Sequence, residues 1–501
     1  MPTVATSSPL TLRNGWLHMV SRDPRARSSR SANSANSANS STASSKNGFV
    51  RAVYSLHDRL TQSRLARSLS RRVDNAISWL TRGSRFEHGA SEFTARSGRG
   101  SAQRAGASRI REDYSGWRFL FSPLASYWAL TSSVVVLTLI GLVMVFSSRT
   151  ADIADEGASI FSIMWQQGRF ALFGCAIFIG LQFMKARSIR KLSGLAFLVA
   201  MFLQALTLTP LGSSAGGNAG WLVFGSLRFQ PAEVMKFALA VWLPHILLAA
   251  RKQAQEHRLH KLNLKPYILP GVAFIAAFGL VMAGKDLGTG IVIVLIGVGA
   301  FFLAGFPVTY LLSAALLGGG LLFIVLVRGN SNRWDRIMAA YGGCSTRQAA
   351  LSDKLCFQTL HGDYALATGG LTGVGLGNSR EKSYLPAQDN DFIFAIIGEE
   401  LGFIGALAVI LCIAVMAWSI INLSLRHQSV YMQMVLMCFG IWFTAQSLIN
   451  LAVVLGLLPV MGLPLPFISS GGSSLVMCLA GAGVCVRFAR EQEDVRASRG
   501  R

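Results

Sequence analysis

Gly373-Val-Gly-Leu-Gly-Asn-Ser-Arg-Glu-Lys-Ser-Tyr-Leu-Pro-Ala-Gln-Asp-Asn-Asp-Phe-Ile-Phe-Ala-Ile-Ile-Gly-Glu-Glu-Leu-Gly-Phe-Ile-Gly405 decides how the rest of the chain is read. Glycines, the basic pair Arg380 and Lys382, and the carboxylates Asp389 and Asp391 run directly into a long apolar segment that carries Glu399 and Glu400. An ionisable group at the centre of a membrane-spanning helix costs about 2.5–3.5 kcal/mol on insertion scales, so such groups mark functional regions. Asp389, Asn390 and Asp391 also suit the N-cap of a helix. A cap alone accounts for neither the basic pair nor the two glutamates.

The surrounding sequence places this stretch in a membrane. Of 501 residues, 51% are hydrophobic and 14% are charged. The apolar residues are gathered into runs matching the roughly 20 residues that cross a hydrocarbon core as a helix. Ten runs are visible: 128–147, 169–184, 193–210, 232–250, 267–283, 287–304, 308–327, 392–420, 431–457 and 470–488. The expected fold is therefore an all-α polytopic membrane protein with ten transmembrane helices. No small-residue cleavage site follows the first run, which is expected to act as an uncleaved anchor.

The net charge of +23 does not point to nucleic acid, because of where the charge lies. Basic residues fall in the N-terminal tail, in Lys185–Lys191, in Arg251–Lys265, at Arg426 and in Arg487–Arg501. These are alternate connections, as the positive-inside rule requires. Both termini are thus expected in the cytoplasm, with 148–168, 211–231, 284–286, 328–391 and 458–469 outside. Residues 1–120, with Ser-Ala-Asn repeated over 31–39, read as a disordered basic tail. Within it Phe49–Leu80 could lie on the inner leaflet as an amphipathic helix or stay a solvated linker. Residues 121–488 form the membrane domain and 489–501 a short cytoplasmic tail.

Five cysteines, Cys175, Cys412, Cys438, Cys478 and Cys485, fall in the predicted spans and read as packing residues. Cys344 and Cys356 lie in the long outward loop, where an oxidising compartment permits a disulfide. Pro231 fits the first position of the fourth span, and Lys236 then sits in an otherwise apolar segment. Its partner is Glu233, three residues earlier on the same face, or a carboxylate elsewhere or a ligand phosphate. Lys285 and Asp286 occupy a very short connection, either as a charged turn or as part of a site lining. Gly462–Ser474 breaks the chain with two prolines and opens the last span with Gly and Ser. Its free N–H groups and Ser473 could hold an anion, or Ser469 or Ser470 could simply cap a helix. The glycines at 373, 375 and 377 follow no strand and make a weak nucleotide fingerprint.

Taken together, a carboxylate, the cations Lys236, Arg380 and Lys382, and Gly-rich helix openings gather on the outward side. This suits an anionic lipid substrate. A transporter would carry its ionisable groups near the midplane; an enzyme acting on lipid-linked sugars would collect them at one face.

Phe229-Gln-Pro-Ala-Glu-Val-Met-Lys236, Lys285-Asp-Leu-Gly-Thr289, Gly373–Ser379 with Tyr384-Leu-Pro386, Asp391–Gly402, and Gly456-Leu-Leu-Pro459 through Ser474 resemble, in order, the signatures of the SEDS family of bacterial cell-wall proteins. Their forms look more like the FtsW branch, of the division septum, than the RodA branch, of elongation. The resemblance covers 128–488 and implies a ten-helix peptidoglycan glycosyltransferase. Such an enzyme polymerises lipid II, an undecaprenyl-pyrophosphate-linked disaccharide peptide, on the outer face of the cytoplasmic membrane. The partners implied are a class B penicillin-binding transpeptidase and other divisome proteins. Asp391 aligns with the family's catalytic aspartate and Lys236 with its buried lysine; Glu233, Arg380, Lys382, Asp286 and Ser473 are the substrate-binding candidates. The sequence assigns no metal ligands, and a divalent cation, Mg or Mn, is the one cofactor left open. The usual His-Thr before the aspartate is Asp389-Asn390 here, an Arg-Arg is Ala219-Gly220, a Pro is Lys285 and a Tyr is Ser470. Asn390, the cysteine pair and the basic tail resemble actinobacterial members. Lipid II flipping, or polymerisation of the RodA type in elongation, is the alternative function. The expected topology is tested by labelling single cysteines from outside: a site near Ser379 should react and one near Ser188 should not.

Overall fold

In hydrocarbon the backbone has no partner but itself, so apolar runs close into helices. The computed structural model describes residues 116–149, 159–215, 218–225, 227–256, 264–322 and 354–499, with positions 334, 337 and 341. Each of the ten expected runs coincides with a helix: α1 (Pro123–Ser148), α2 (Ile160–Phe183), α3 (Ala186–Leu206), α4 (Pro231–Glu256), α5 (Ile268–Ala283), α6 (Leu287–Leu303), α7 (Val308–Leu322), α9 (Ile393–Arg426), α10 (Val430–Val454) and α11 (Gly472–Ala489). The connection between α7 and α9 contains α8 (Lys354–Gly369), and a short helix, α12 (Glu493–Arg499), follows α11. Among the described residues, seven helices are long and apolar enough to cross a membrane: α1, α3, α4, α5 together with the helical turn before it (Lys265–Ala283), α9, α10 and α11. Helices α6 and α7 are shorter, at 17 and 15 residues. The chain is a multi-pass membrane protein. The stretch Phe49–Leu80, read as either an amphipathic helix or a solvated linker, lies outside the described residues.

The expectation of an all-helical fold needs correction at one place. The connection from α3 to α4 folds into a three-stranded antiparallel sheet, β1 (Gly212–Ala215), β2 (Asn218–Phe224) and β3 (Leu227–Phe229). Trp221, Leu222, Val223 and Phe224 form a run of the aromatic and branched residues that strands favour. Gly225, at φ 61°, opens the two-residue turn that returns β2 onto β3, pairing Phe224 with Leu227 and Leu222 with Phe229. Strand β3 then leads through Gln230 into Pro231, which starts α4 as its ring geometry favours.

A second correction concerns the run expected to be one continuous helix from 392. Within α9, Gly402 adopts φ 69° and ψ −169°, which divides a buried first segment, Ile393–Leu401, from the long segment that follows. Residues 370–375 thread through the break and take up the groups it releases. The N–H groups of Phe403 and Ile404 donate to the carbonyls of Gly370 and Leu371 at 2.9 and 3.2 Å. Those of Val374 and Gly375 donate to Glu399 and Glu400, both at 3.0 Å. Only glycine fits this crossing: a Cβ on Gly373 would lie 2.1 Å from the Glu400 carbonyl, and one on Gly402 would lie 2.3 Å from the Gly373 nitrogen.

The third departure from regular structure is the stretch between α10 and α11. Residues 463–469 are non-helical and all buried. They sit against α1, where a Cβ on Gly141 would be 2.6 Å from Ile468 Cα, and against α6, where one on Gly288 would be 2.7 Å from the Met461 carbonyl. Irregular backbone in a membrane protein is tolerated where protein covers it and satisfies it.

Gly402→Ala tests the crossing, since it adds both a clash and a positive φ that costs an L-residue about 1–3 kcal/mol. The detergent-solubilised variant should melt well below the parent. Gly318→Ala, in α7 with open space around it, should not.

Candidate active site

Asp391 is held by its backbone. The N-cap position of α9 is Phe392, one residue later. Three successive carbonyls ahead of it are each bound by a different donor. Ser470 N–H donates to Asp389 O at 2.9 Å, Ser469 Oγ to Asn390 O at 2.7 Å, and Asn450 Nδ2 to Asp391 O at 2.8 Å. The carboxylate of Asp391 faces the bend at Gly462, its Oδ2 lying 3.7 Å from where a Cβ on that glycine would stand.

Helix α10 supplies the support. Asn450 Nδ2 also donates to Leu463 O at 2.8 Å. Gln446, one turn earlier on the same face, donates through Nε2 to Pro464 O at 2.7 Å. Its Oε1 accepts from Lys236 Nζ at 2.7 Å and from Trp442 Nε1 at 2.8 Å. Lys236 and Glu233 are fully buried on α4 and form the ion pair that their i,i+3 spacing suggests, at 2.8 Å. The Lys236 ammonium also lies 5.0 Å from the centroid of the Trp442 ring. One face of α10 thus joins the buried lysine to the segment that positions Asp391.

Glu399 and Glu400, the two glutamates of the apolar run, organise the basic loop. Glu399 accepts from Ser379 Oγ and, at 2.9 Å, from Arg380 N–H. Glu400 accepts from Ser147 Oγ at 2.5 Å, and that hydroxyl in turn accepts from Gly377 N–H at 2.8 Å. Lys382 is buried and donates to Gly377 O, whereas Arg380 is exposed. Asp286 caps α6 by accepting from Thr289 N–H at 3.0 Å, and its other oxygen accepts from Gln230 Nε2 at 2.6 Å. Gln230 N–H donates to Ser473 Oγ at 3.3 Å. Asp286 and Ser473, distant in sequence, therefore meet through Gln230. Cys356 is disulfide-bonded; its expected partner Cys344 lies outside the described residues.

Sequence reasoning missed Gln230, Gln446 and Asn450, since a neutral amide in an apolar run gives little signal. It also missed two arginines. Arg149, just past α1, pairs with Asp389 at 2.6 Å. Arg169, on α2, has its Nε buried without a hydrogen bond among the described residues. Its neighbour Phe170 packs on Gly472 at the opening of α11, and Gln167 Nε2 reaches Ser469 O at 3.5 Å. Placing the second run's boundary at Arg169 hid it. Among the described residues no group of three or more His, Cys, Asp or Glu side chains is gathered to hold a metal ion.

The candidate groups share one arrangement. Glu233 and Lys236 lie in the first turns of α4, Asp286 caps α6, Asp391 precedes α9, and Ser473 lies in the first turn of α11. Through the hydrogen bonds above, the starts of α4, α6 and α11 are linked through Gln230, and the segment leading into α9 is clamped by the residues that lead into α11. Helix starts present N–H groups and the positive end of the macrodipole, so such a cluster suits an anion.

Comparison with known proteins places the chain among bacterial cell-wall proteins. The sequence pattern of the FtsW/RodA/SpoVE family, described as cell cycle proteins, matches residues 127–494. The probable peptidoglycan glycosyltransferase FtsW of Mycobacterium tuberculosis is 32% identical over 406 residues, which cover 80% of this chain and 75% of that protein. Stage V sporulation protein E of Bacillus subtilis is 33% identical over 364 residues, covering 71% and 96%. The rod shape determining protein RodA of Thermus thermophilus has a similar fold, with TM-score 0.52 and 24% identity over 73% of this chain and 97% of that one. A chain from a structure titled as a peptidoglycan synthase complex that coordinates polymerization and crosslinking aligns with TM-score 0.56 and 24% identity, covering 73% and 98%.

Asn450→Ala would strip the donors from two buried carbonyls, Asp391 O and Leu463 O. An unsatisfied buried acceptor costs about 1–3 kcal/mol. The variant should lose thermal stability accordingly, and Asn450→Asp, which keeps the shape but not the donor, should do no better.

Proposed function

Because the chain belongs to the FtsW/RodA/SpoVE family of cell cycle proteins, we propose that it is a peptidoglycan glycosyltransferase that polymerises lipid II during septal cell-wall synthesis. The observation that carries this reading is the convergence of the four helix starts around Asp391. Each of these starts follows a connection that the charge pattern puts outside, so the site opens at the outer face, at the depth of lipid headgroups. Both termini would then be cytoplasmic and ten helices would cross the membrane.

Asp391 acts as the general base. Its carboxylate takes the proton from a sugar hydroxyl of one lipid-linked molecule as that oxygen attacks the anomeric carbon of a second. The bond from the anomeric carbon to the lipid pyrophosphate breaks, and the pyrophosphate leaves with the electron pair. Positioned proton transfer of this kind contributes roughly 10²–10⁴-fold in rate. The charge on the leaving group needs donors fixed beforehand. Arg380 and Lys382 on the loop held by the glutamates supply two cations. Arg169, with its buried Nε beside the opening of α11, supplies the phosphate recognition that Ala219 and Gly220 cannot. Lys236, enclosed by Glu233 and Gln446, acts through the α10 ladder and the electrostatic field of the site. Glu233, Asp286 and Ser473 complete the substrate-side lining. A divalent cation, Mg or Mn, would supply charge neutralisation at the leaving pyrophosphate; among the described residues no group of three or more His, Cys, Asp or Glu side chains is gathered to hold one. The transpeptidase of class B and other divisome proteins are the proposed partners.

Two features favour a second reading. The break at Gly402 and the buried irregular stretch 463–469 are devices that transporters use around a moving substrate. Purified protein with lipid II separates the two: glycan chains growing without a transmembrane gradient support the polymerase, and leaflet exchange alone supports a flippase. In the same assay Asp391→Asn should fold normally and lose nearly all polymerisation, about 10²-fold or more, while Asp389→Asn should lose much less. Near-normal chain growth by Asp391→Asn would remove it from the role of base.

A further inference from the structure

We infer that Arg149 and Asp389 are positioning residues for the proposed reaction, an ion pair that bolts the turn carrying Asp391 to the outer end of α1. This rests on the glycosyltransferase reading of the site. Arg149 directly follows α1, and its N–H closes the last turn on Val145 and Ser147. Its Nε and Nη2 both donate to Asp389 Oδ2, at 2.7 and 2.6 Å, and its Nη1 donates to Gln166 Oε1 on α2 at 2.6 Å. All three donor atoms of the guanidinium are therefore engaged. Gln388 Nε2 adds a contact to Ser148 O at 3.3 Å.

Exposed ion pairs generally contribute little because water screens them and two long side chains must be ordered. Here the side chains retain 27% and 17% of their exposure, the donors form a fork on one oxygen, and the arginine is fixed as the C-cap of a long helix. Such a charge-assisted fork adds direction as well as energy. What it fixes matters more than its strength. Asp389 is held from behind through its carbonyl by Ser470 N–H and from the front through its carboxylate by Arg149. The turn between these holds is tight: Ala387 has φ 58°, and its carbonyl accepts from both Asn390 N–H at 3.0 Å and Phe392 N–H at 3.3 Å. Asp391 lies between those two amides. Without the bolt, the turn would keep on the α1 side only the Gln388 Nε2 contact to Ser148 O and could tilt about its α10–α11 edge. Displacing a base by a fraction of its hydrogen-bond length costs rate without costing substrate affinity.

The test uses the full-length membrane protein and the single variants Arg149→Gln and Asp389→Asn, with the charge-exchanged double variant Arg149→Asp, Asp389→Arg. Hydrogen exchange should be roughly 10-fold faster at the amides of Asn390 and Phe392 in each single variant, with little change in the remainder of α9. In the lipid II assay kcat should fall roughly 10-fold with KM unchanged, and the exchanged pair should recover part of the loss. Unchanged exchange at 390 and 392 overturns the proposal whatever the activity. A rise in KM at constant kcat overturns it in favour of direct phosphate binding by Arg149. Failure of the parent protein to polymerise would strike the glycosyltransferase reading, while the exchange measurement would still decide whether the pair holds the turn.

Discussion

The structure depends on satisfying non-helical backbone where no water is available to do it. A peptide group buried without a partner costs several kcal/mol, and a membrane interior offers no substitute. Three irregular segments nonetheless flank the first segment of α9: the 370–375 crossing at its Gly402 end, and the 387–392 turn with the buried stretch 463–469 at its Asp391 end. Gln446 and Asn450 on α10 make this possible, each clamping a carbonyl of residues 463–464, while Asn450 also holds the carbonyl of Asp391. Removing either amide would take its donor away from these buried acceptors.

This constraint explains why charged residues stand where hydrophobic ones would be cheaper. Glu399 and Glu400 are buried, yet their carboxylates bind the donors that shape the 377–382 loop. Lys236 is likewise enclosed, with Glu233, Gln446 and the Trp442 ring as its surroundings. A buried ion pair is seldom worth more than a well-packed apolar replacement. Its retention here is accounted for by what it is joined to, a ladder of side chains ending at the proposed base.

The same geometry links chemistry to rigidity. A base must be held near its proton before the reaction begins, because positioning afterwards would cost rate. Asp391 is flanked by backbone clamps on one side and by the Arg149–Asp389 fork on the other, while the phosphate-binding candidates Arg380 and Lys382 hang from a separate support built on the glutamates. Base and leaving-group donors are thus carried by different struts of the same helix, α9, on either side of its first segment.

The sequence by itself determined the membrane class, the positions of the ten apolar helical runs and the start of α4 at Pro231, and it offered Glu233 as one of the partners open to Lys236, the one the structure shows. These are local properties: hydrophobic length, proline geometry and helical spacing act over a few residues. It also marked Asp391, through its place before an apolar run and the resemblance of the motifs around it. The break at Gly402 was not legible, because a glycine inside an apolar run is compatible with a continuous helix until another segment must pass so near that a Cβ on Gly402 would stand 2.3 Å from the Gly373 nitrogen. Nor was the sheet at 212–229, where glycines concealed a pairing that only the return of β3 onto β2 completes. The roles of Gln230, Gln446, Asn450 and Arg149 were decided by tertiary structure alone. Each is a hydrogen-bond donor whose acceptor sits in another element, and a one-dimensional pattern carries no record of which distant carbonyl or carboxylate a side chain will meet.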